Sequence, residues 1–380
     1  MKILQISPKP FHPDRGGLYV VQKSFSNLIA AKTLDTIPMN SSVSAESEAD
    51  YHLQQLNVFN FGANYGIPIV TYKLLSQLWA LELNLITIHC LFQFHAVIGY
   101  VLSKIKKVPY IVFLHGTLDP YVFSYRAIPK YLWMYGMGQR ILQQASAVIC
   151  TSNREAEKAS AYLRNSNVEI CPLGIEVPDL PGIVQYKNQV REKLGIDKSK
   201  KILLFLGRID PMKRPIETAL AFKENNPQDW VYLMVGSLSK SEKYCLELVV
   251  DNQQVYYHHS VYGLDKWIFM AAADAFIHLS YRENFCYSVA EAAALGLPLI
   301  ISDGIDIHPI LEEAGGADVI TIDSEEDIHK GLAKFLDKSE MEQKAMGERA
   351  KKVFQENFCQ SVFQDRLVKL IKKYARENHF

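Results

Sequence analysis

Short apolar runs alternate with segments of helical spacing along most of the first half of the chain. Five continuous apolar runs predict buried strands, at residues 2–6, 84–88, 109–114, 147–150 and 168–171. Four segments have the spacing of amphipathic helices, at residues 18–31, 91–106, 129–143 and 152–163. Strands that alternate with helices are typical of a parallel sheet covered on both faces. The polar segment 33–55 is expected to be an irregular connection.

The same alternation returns in the second half, after a Pro- and Gly-rich interruption at residues 171–182. Six apolar runs predict strands there, at residues 202–206, 230–235, 255–258, 275–279, 299–301 and 319–322. Helical spacing recurs after most of them, at residues 264–272, 287–295, 309–313, 326–336, 341–358 and 361–376. We therefore predict an α/β protein with two parallel-sheet domains, residues 1–178 and 179–360, followed by a helical segment over residues 361–380.

Charge and cysteine usage exclude several classes of function. Lys+Arg and Asp+Glu both total 41, so the net charge is zero and the overall basic field of a nucleic-acid-binding protein is absent. The 6 cysteines form no CxxC pair, which argues against a zinc site and fits a reducing compartment. His258 and His259 are neighbours on a predicted strand and would point to opposite faces, so we predict no metal there.

The chain shows no targeting or spanning segment by its apolar pattern. The first residues, MKILQISPKPF, lack the apolar core and cleavage site of a signal peptide. The most apolar region, residues 78–102, is interrupted by polar and charged side chains such as Glu82 and Asn84. We therefore expect a cytoplasmic protein.

Two glutamates flank a predicted helix start in the segment YRENFCYSVAEAAALGLPLIISD, residues 281–303. Glu283 lies in the loop and Glu291 lies on the helix, eight positions later, with Gly296 placed to end that helix. The free N–H groups of a helix N-terminus bind anions. A carboxylate on either side of a phosphate site suits a ligand with hydroxyls at both ends, and a sugar nucleotide is such a ligand. Surface charge is the alternative interpretation of the pair.

This segment resembles the donor-binding signature of the retaining GT-B glycosyltransferases of family 4, also called group 1. The resemblance implies two Rossmann-like domains facing across a cleft, with the C-terminal helix returning to the N-terminal domain. It also implies donor binding by a run of seven residues in this loop and helix, Glu283, Asn284, Phe285, Cys286, Tyr287, Ser288 and Glu291. Cys286 stands where the family usually has glycine.

Further motifs carry the same resemblance in both halves of the chain. In GRIDPMK the pattern Gly-Arg-x4-Lys identifies Arg208 and Lys213 as ligands of the donor diphosphate. Arg214 stands where the family often has glycine. Gly16 and Gly17 correspond to a loop that approaches the diphosphate. In HGTLDPY the resemblance places His115 at the sugar-transfer centre and Asp119 toward the acceptor.

The resemblance implies a metal-independent, retaining hexosyltransferase of polysaccharide synthesis. His115, Arg208, Lys213 and Glu283 would form its catalytic set. Its co-substrate would be a nucleoside-diphosphate sugar (UDP or GDP sugar), with no cofactor and no metal. The acceptor would be a glycan or lipid-linked saccharide. The donor base, the sugar and the acceptor stay open.

Two alternative functions and one surface also stay open. The fold occurs in sugar-nucleotide epimerases and would also suit a non-catalytic nucleotide-sugar-binding protein. Segments 100–110 and 125–140 mix aromatic and basic side chains, which is typical of an amphipathic helix with a basic solvent face. The alternative is contact with anionic lipids at the inner face of the plasma membrane.

Overall fold

The computed structural model describes residues 1–8, 35–40, 59–60, 63–64, 67–68, 78–124, 127–180 and 183–376. Its Cα positions divide the chain into two compact units. The first unit comprises Met1–Gly174 and Gln360–Phe380, and the second comprises Ile175–Cys359. Each is built on a parallel sheet, which confirms the predicted fold class.

The first unit is built on a seven-stranded parallel sheet with the order β3-β2-β1-β6-β7-β8-β9. Its strands and a short antiparallel pair, β4 with β5, have these bounds in chain order: β1 (Lys2–Ser7), β2 (Asp35–Asn40), β3 (Phe59–Asn60), β4 (Ala63–Asn64), β5 (Ile67–Pro68), β6 (Leu85–His89), β7 (Tyr110–Phe113), β8 (Ala147–Cys150) and β9 (Val168–Ile170). The central strands β6, β7 and β8 are buried along their whole length, which explains their continuous apolar runs.

One expectation for the first unit is wrong. Residues 35–40 form a strand instead of part of an irregular connection, and Gln5 on β1 lies opposite Pro38. Proline lacks the N–H that a sheet ladder needs and asparagine is depleted in strands, so this segment gave no strand signal.

The predicted helix 18–31 lies outside the described residues. The helices of the first unit that the structure describes follow the other predicted segments. Their bounds are Phe94–Lys106, Ala127–Trp133, Gln139–Gln143, Asn153–Lys158, Ser160–Leu163 and Gln360–Tyr374. The predicted helix 129–143 is interrupted by a π-helical turn at Met134–Gly138. A 3-10 turn, Pro120–Ser124, precedes it.

The C-terminal helix packs on the first unit. Phe363, Leu367 and Ile371 bury its apolar face. The Tyr374 hydroxyl donates at 2.6 Å to the carboxylate of Glu169, which lies on β9, the edge strand of the first unit's sheet. A Cβ on Gly174 would lie 2.5 Å from the Cβ of Phe363, so the chain leaves the first unit in close contact with this helix.

The second unit is built on a six-stranded parallel sheet with the order β12-β11-β10-β13-β14-β15. Its strands are β10 (Lys201–Leu206), β11 (Trp230–Val235), β12 (Val255–His258), β13 (Ala275–His278), β14 (Leu299–Ser302) and β15 (Ala317–Ile320). Its helices are Ile183–Leu194, Pro215–Asn225, Lys243–Val249, Gly263–Ala272, Tyr287–Ala294, His308–Glu313, Glu325–Leu336 and Glu340–Asn357. Short 3-10 turns occur at Pro211–Lys213 and Lys240–Glu242.

The first residue of the second unit pairs with the last residue of the same unit. Ile175 bridges to Cys359, and its N–H donates to the Phe358 carbonyl at 2.8 Å. The units therefore divide at 174/175 and 359/360, a few residues from the boundaries expected from composition. Within the described part of the chain, no helix combines the length and apolar character that a bilayer span requires.

Candidate functional site

The strand order of the second unit reverses between β10 and β13. β10 pairs with both β11 and β13, so the loops that follow β10 and β13 leave the sheet at its carboxyl edge in opposite directions. In open parallel sheets, ligands bind in the crevice outside the carboxyl ends of the strands at such a switch point. The segments that carry Lys213 and Glu283 follow these two strands.

Backbone hydrogen bonds tie these loops together. The Met212 carbonyl accepts from the Tyr281 N–H at 2.8 Å and from the Ser280 hydroxyl at 3.1 Å. The Glu283 N–H donates to the Gly304 carbonyl at 3.0 Å, which joins the loop after β13 to the loop after β14. A Cβ at Gly304 would lie 2.4 Å from the Tyr281 carbonyl oxygen, so this close approach requires glycine. The loop backbone is therefore held before any ligand binds.

Lys213 and His278 both lie against the Glu283 carboxylate. The Lys213 ammonium contacts Glu283 Oε1, and both side chains are mostly buried. His278 Nε2 lies 3.8 Å from the same oxygen, which is an ion-pair distance and too long for a hydrogen bond. Among the described residues, neither ring nitrogen of the fully buried His278 has a hydrogen-bond partner.

These neighbours keep Glu283 ionised. Burial alone would raise the pKa of Glu283, but His278 and Lys213 outweigh it and lower the pKa to about 2. Burial alone would lower the pKa of His278, but the Cys286 sulfur and the Glu283 carboxylate beside it leave the net direction upward. Glu283 is therefore an acceptor for hydroxyl groups across the physiological pH range.

Two of this chain's departures from the family pattern fall at left-handed backbone positions. Arg214 has φ 53° and Cys286 has φ 52°. Only glycine adopts this region without steric cost, which explains the glycine that the resembled family has at each position. Arg214 is compensated, because its guanidinium carbon lies 3.2 Å from the centre of the Tyr281 ring.

The helix Tyr287–Ala294 starts at the carboxyl edge with an open N-terminus. The side chain of its N-cap residue, Cys286, accepts no hydrogen bond from a backbone N–H of the first turn. The Cys286 sulfur lies 3.6 Å from the Ser288 hydroxyl. Phe285 is buried against Phe358, with ring centroids 5.4 Å apart, so its side chain anchors the loop. The first-turn N–H groups and the Ser288 hydroxyl are the groups suited to bind an anion here.

The other side chains of the donor-binding segment differ in their burial and in their polar partners. The Tyr287 hydroxyl is buried without a hydrogen-bond partner in the described part of the protein, and burial raises its pKa. Asn284 is half-buried beside Glu283. Glu291 is buried on the same helix, where burial raises its pKa against the opposing effect of Lys266. The Lys266 ammonium contacts Glu291 Oε1, so the second carboxylate of the motif also has a lysine partner.

Arg208 is the most exposed of the expected phosphate ligands. Its side chain is 65% exposed, and its Nη1 lies 3.4 Å from Asp210. Only Gly207 separates it from the end of β10, so its guanidinium can reach outward from the carboxyl edge of the sheet. Lys213 and Arg208 therefore differ: one is held by Glu283, while the other is solvent-facing.

The first unit holds His115 at the carboxyl end of β7. His115 has φ 51° and is followed by Gly116 with φ 75°, so the chain turns sharply there. The Gly116 N–H donates to Glu155 at 2.5 Å, and Glu155 also accepts from the Thr151 N–H at 2.6 Å. Burial lowers the pKa of His115 to about 4, so its imidazole is neutral at pH 7.

The remaining expected residues of the first unit are accounted for as follows. Asp119 accepts from the Tyr121 N–H at 2.9 Å and lies 3.3 Å from the Lys158 ammonium, so its carboxylate supports the local turn. Its acceptor role stays a prediction. Gly16 and Gly17 lie outside the described residues.

One group of side chains in the described part of the chain has the composition of a metal site. Ligand atoms of His278, Glu283 and Cys286 lie within 4.8 Å of one another. The Lys213 ammonium already contacts Glu283. A metal ion bound by the three residues would face this ammonium, so the arrangement favours the Lys213 ammonium, instead of a metal ion, as the cation at the Glu283 carboxylate.

Sequence reasoning missed four side chains around these sites: His89, Glu155, Lys266 and His278. A single histidine at the end of an otherwise apolar strand, AFIH, is a signal that could have identified His278. Lys266 gave no comparable signal, because it reaches Glu291 only through the packing of two separate helices. Glu155 gave none either, because its bond to Gly116 joins a helix to a turn 39 residues away in the chain.

Two family models match the chain. The model described as Glycosyltransferase Family 4 matches residues 39–177. The model described as Glycosyl transferases group 1 matches residues 187–353. The two matches cover most of the first unit and most of the second, and they follow each other without overlap.

Curated proteins from bacteria are similar to part of the chain. TuaC from Bacillus subtilis (strain 168), a putative teichuronic acid biosynthesis glycosyltransferase, is 25% identical over 203 residues, which are 53% of this chain and 49% of TuaC. A UDP-Gal:alpha-D-GlcNAc-diphosphoundecaprenol alpha-1,3-galactosyltransferase from Escherichia coli is 23% identical over 227 residues, 54% of this chain and 55% of that enzyme. The chain spans about half the length of these curated relatives.

Solved structures share the fold over nearly the whole chain. Anabaena HepE in complex with UDP has a TM-score of 0.77 at 17% identity, covering 98% of this chain and 100% of HepE. Sucrose-phosphate synthase from Thermosynechococcus elongatus has a TM-score of 0.77 at 16% identity, covering 98% of this chain and 99% of the synthase. At this identity the likeness concerns the fold alone.

Proposed function

Since the chain belongs to the group 1 glycosyltransferases and has their GT-B fold, we propose that it transfers a sugar from a nucleoside-diphosphate sugar to a glycan or a lipid-linked saccharide in cell-surface polysaccharide synthesis. The observation that carries the proposal is the cluster of Lys213, Glu283 and His278 beside an open helix N-terminus. It lies at the switch point of a parallel sheet, where such folds bind nucleotides.

The leaving diphosphate would be held by the cations and N–H groups of the second unit. Lys213 supplies an ammonium fixed by Glu283, Arg208 supplies an exposed guanidinium, and the first turn of the helix after Cys286 supplies N–H groups. Negative charge grows on the departing phosphate during transfer. Positive groups that are already in place stabilise this charge without reorganisation, so they accelerate departure.

The two glutamates would bind the two ends of the donor. Glu291 is buried and held by Lys266, and it would accept hydrogen bonds from the ribose diol. Glu283 is ionised and would accept from hydroxyls of the transferred sugar. His115 would contact that sugar. The donor phosphate would take the proton of the acceptor hydroxyl on the same face of the sugar, which retains the anomeric configuration without a metal.

The proposal is tested with purified protein, a panel of UDP and GDP sugars, and bacterial membranes as acceptor. A radiolabelled sugar should move to the lipid or glycan fraction, and NMR of the product should show the anomeric configuration of the donor. UDP sugars are tested first, because the names of one relative and one structural neighbour include UDP-Gal or UDP. Isomerised free sugar would favour an epimerase, and donor binding without any turnover would favour a binding protein. Either result would contradict the proposed transferase activity.

A membrane-facing surface on the first unit is part of the same proposal. The helical segment 127–143 exposes Ile128 (74%), Leu132 (67%) and Tyr135 (89%). Lys104 and Lys106 lie in the last turn of the helix Phe94–Lys106. Exposed apolar and aromatic side chains, together with lysines on the same unit, suit the interface of an anionic bilayer, where a lipid-linked acceptor resides. The protein would then act at the inner face of the plasma membrane.

Sedimentation with vesicles tests this surface. Wild-type protein should sediment with phosphatidylglycerol vesicles and less with phosphatidylcholine vesicles. The double variant Ile128→Ser with Leu132→Ser should lose this binding. A matched control, Tyr244→Ser with Leu248→Ser, removes equally exposed side chains (70% and 64%) from the second unit and should bind as wild type. Equal losses in both double variants would contradict the assignment.

A further inference from the structure

Three side chains from neighbouring strands meet at the carboxyl edge of the first unit's sheet. Gln5 lies on β1, His89 ends β6, and His115 follows β7. β1 pairs with β6, and β6 pairs with β7, so the three residues lie side by side. Gln5 and His89 are buried, and His115 is half-buried. Only His115 is therefore placed to reach a ligand.

A chain of hydrogen bonds joins them. His115 Nε2 lies 2.9 Å from His89 Nδ1, and His89 Nε2 lies 3.3 Å from the Gln5 amide nitrogen. The two imidazole planes are 11° apart with centroids separated by 5.2 Å. A nitrogen–nitrogen distance of 2.9 Å is too short for stacked rings, so the rings share a hydrogen bond close to their common plane.

Both imidazoles carry a single proton. Burial lowers the pKa of His89 well below its usual range, and the nearby His115 and His95 lower it further. Burial also lowers the pKa of His115 to about 4. His95 donates from Nε2 to the His89 carbonyl at 2.7 Å, which fixes a third neutral ring behind the pair. A neutral imidazole has one donor and one acceptor nitrogen, so each bond in the chain determines the next.

The proton positions follow from the Gln5 amide. Its nitrogen can only donate, so His89 Nε2 accepts and His89 carries its proton on Nδ1. His89 Nδ1–H then donates to His115 Nε2. His115 must therefore carry its own proton on Nδ1. The Gln5 carbonyl oxygen has no hydrogen-bond partner among the described residues. If the Gln5 amide were flipped so that its oxygen faced His89, the donor and acceptor nitrogens of both imidazoles would be exchanged.

We propose that Gln5 and His89 are positioning residues that hold His115 in the Nδ1–H tautomer, so that His115 acts as a hydrogen-bond donor to an oxygen of the bound sugar. This inference rests on the proposed function, in which His115 contacts the transferred sugar. It deepens that function by assigning the direction of the bond. A donor at this place binds a sugar oxygen and does not remove the acceptor proton, which leaves that proton to the donor phosphate.

The tautomer is measured directly on the full-length protein labelled with ¹⁵N-histidine. Long-range ¹H–¹⁵N spectra distinguish a protonated from an unprotonated ring nitrogen, and the signal of His115 is assigned by its loss in His115→Gln. The expected result is a protonated Nδ1 and an unprotonated Nε2. The opposite pattern, or rapid exchange between the two, would overturn the inference.

The variant Gln5→Met removes the amide and keeps a side chain of similar volume. His89 then loses the partner that orders its protons, so both tautomers of His115 should appear. Turnover should fall about 3- to 10-fold, the effect of one neutral hydrogen bond, with KM for the donor less affected. The control Thr87→Val changes another buried polar side chain, on β6, whose hydroxyl has no partner in the described structure, and should leave the tautomer unchanged.

The tautomer measurement and the transfer assay test the inference and the proposed function separately. A fixed Nδ1–H tautomer in a protein that transfers no sugar would refute the proposed function and leave the hydrogen-bond chain intact. Sugar transfer by a protein with the Nε2–H tautomer would refute the inference and leave the function intact. Unchanged spectra and unchanged turnover in Gln5→Met would show that Gln5 does not position His115.

Discussion

Lys213 and Glu283 are 70 residues apart in the chain, yet the Lys213 ammonium contacts the Glu283 carboxylate in the folded protein. Lys213 follows β10 and Glu283 follows β13, the two strands between which the strand order of the sheet reverses. The Met212 carbonyl joins the two loops through the Tyr281 N–H at 2.8 Å. The fold thus holds a fixed cation at the place where a diphosphate is expected to bind.

Lys213→Ala should lower turnover more than donor binding. The ammonium is proposed to stabilise charge that grows only as the phosphate departs, so its loss should reduce kcat about 100-fold and change the donor KM by about threefold or less. Steady-state kinetics with the preferred sugar nucleotide measure both constants. Lys198→Ala is the control, because Lys198 is an exposed lysine of the same unit with an ion-pair partner, Glu192, at 3.7 Å. Wild-type turnover in the Lys213 variant would refute its leaving-group role.

Glu291→Gln should weaken binding of the nucleotide. A buried carboxylate accepts hydrogen bonds from a diol more strongly than an amide, and such charged hydrogen bonds contribute about 1.5–3 kcal/mol. The dissociation constant for the matching nucleoside diphosphate should rise about 10- to 100-fold in calorimetry. The same carboxylate is held by Lys266, so Lys266→Met should also weaken binding. Unaltered affinity in both variants would remove Glu291 from the ribose site.

Cys286→Gly should preserve the donor site. Cysteine with φ 52° carries about 1–2 kcal/mol of backbone strain, and glycine removes this strain but loses about 0.5–1 kcal/mol through greater freedom of the unfolded chain. The melting temperature should therefore stay the same or rise slightly, and nucleotide affinity should be retained. Thermal shift with and without nucleotide measures both. A large loss of affinity would show that the thiol itself takes part in binding.

The buried histidines of the first unit should make stability depend on pH. Burial lowers the pKa of His95 from 6.5 to about 4, so the unfolded chain binds more protons than the folded protein between these values. The free energy of unfolding should therefore be highest above about pH 6.5 and fall as the pH drops toward 4. A shift of this size corresponds to about 3 kcal/mol for His95.

Urea unfolding from pH 7 to pH 4.5 checks this dependence. His95→Gln keeps an N–H that can donate to the His89 carbonyl and removes the titrating ring, so its stability should fall less steeply with decreasing pH than that of wild type. His329→Gln, a substitution in the second unit, is the control and should keep the wild-type slope. Parallel curves for wild type and His95→Gln would contradict the assignment.

Much of the architecture can be predicted from the sequence. The apolar runs that end at Leu206 and His278 are strands because both faces of a parallel sheet are buried, so nearly every residue must be apolar. The helix that carries Glu291 ends before Gly296, which has φ 72°, as its position after the helix predicted. The β2 strand was not predicted, because Pro38 and its polar neighbours have the composition of a connecting segment.

The candidate site could be predicted only in part from the sequence. The motif residues Lys213, Glu283 and Glu291 could be named because the segments that contain them resemble motifs of the family. Their partners could not be named. His278 and Lys266 come from other elements, and the contacts they make depend on how those elements pack. His89 looked like an ordinary strand residue until β6 and β7 were placed side by side.

By itself, the sequence determined two parallel-sheet units, their approximate strands and helices, and the motif residues that carry the family resemblance. Periodicity and helix termination depend on near neighbours in the chain, so these features are local. Only the tertiary structure decided which side chains face Glu283, Glu291 and His115, and therefore which of these groups is charged or neutral. Such contacts join residues on separate elements, and burial and charge at each site arise only when the strands are in register.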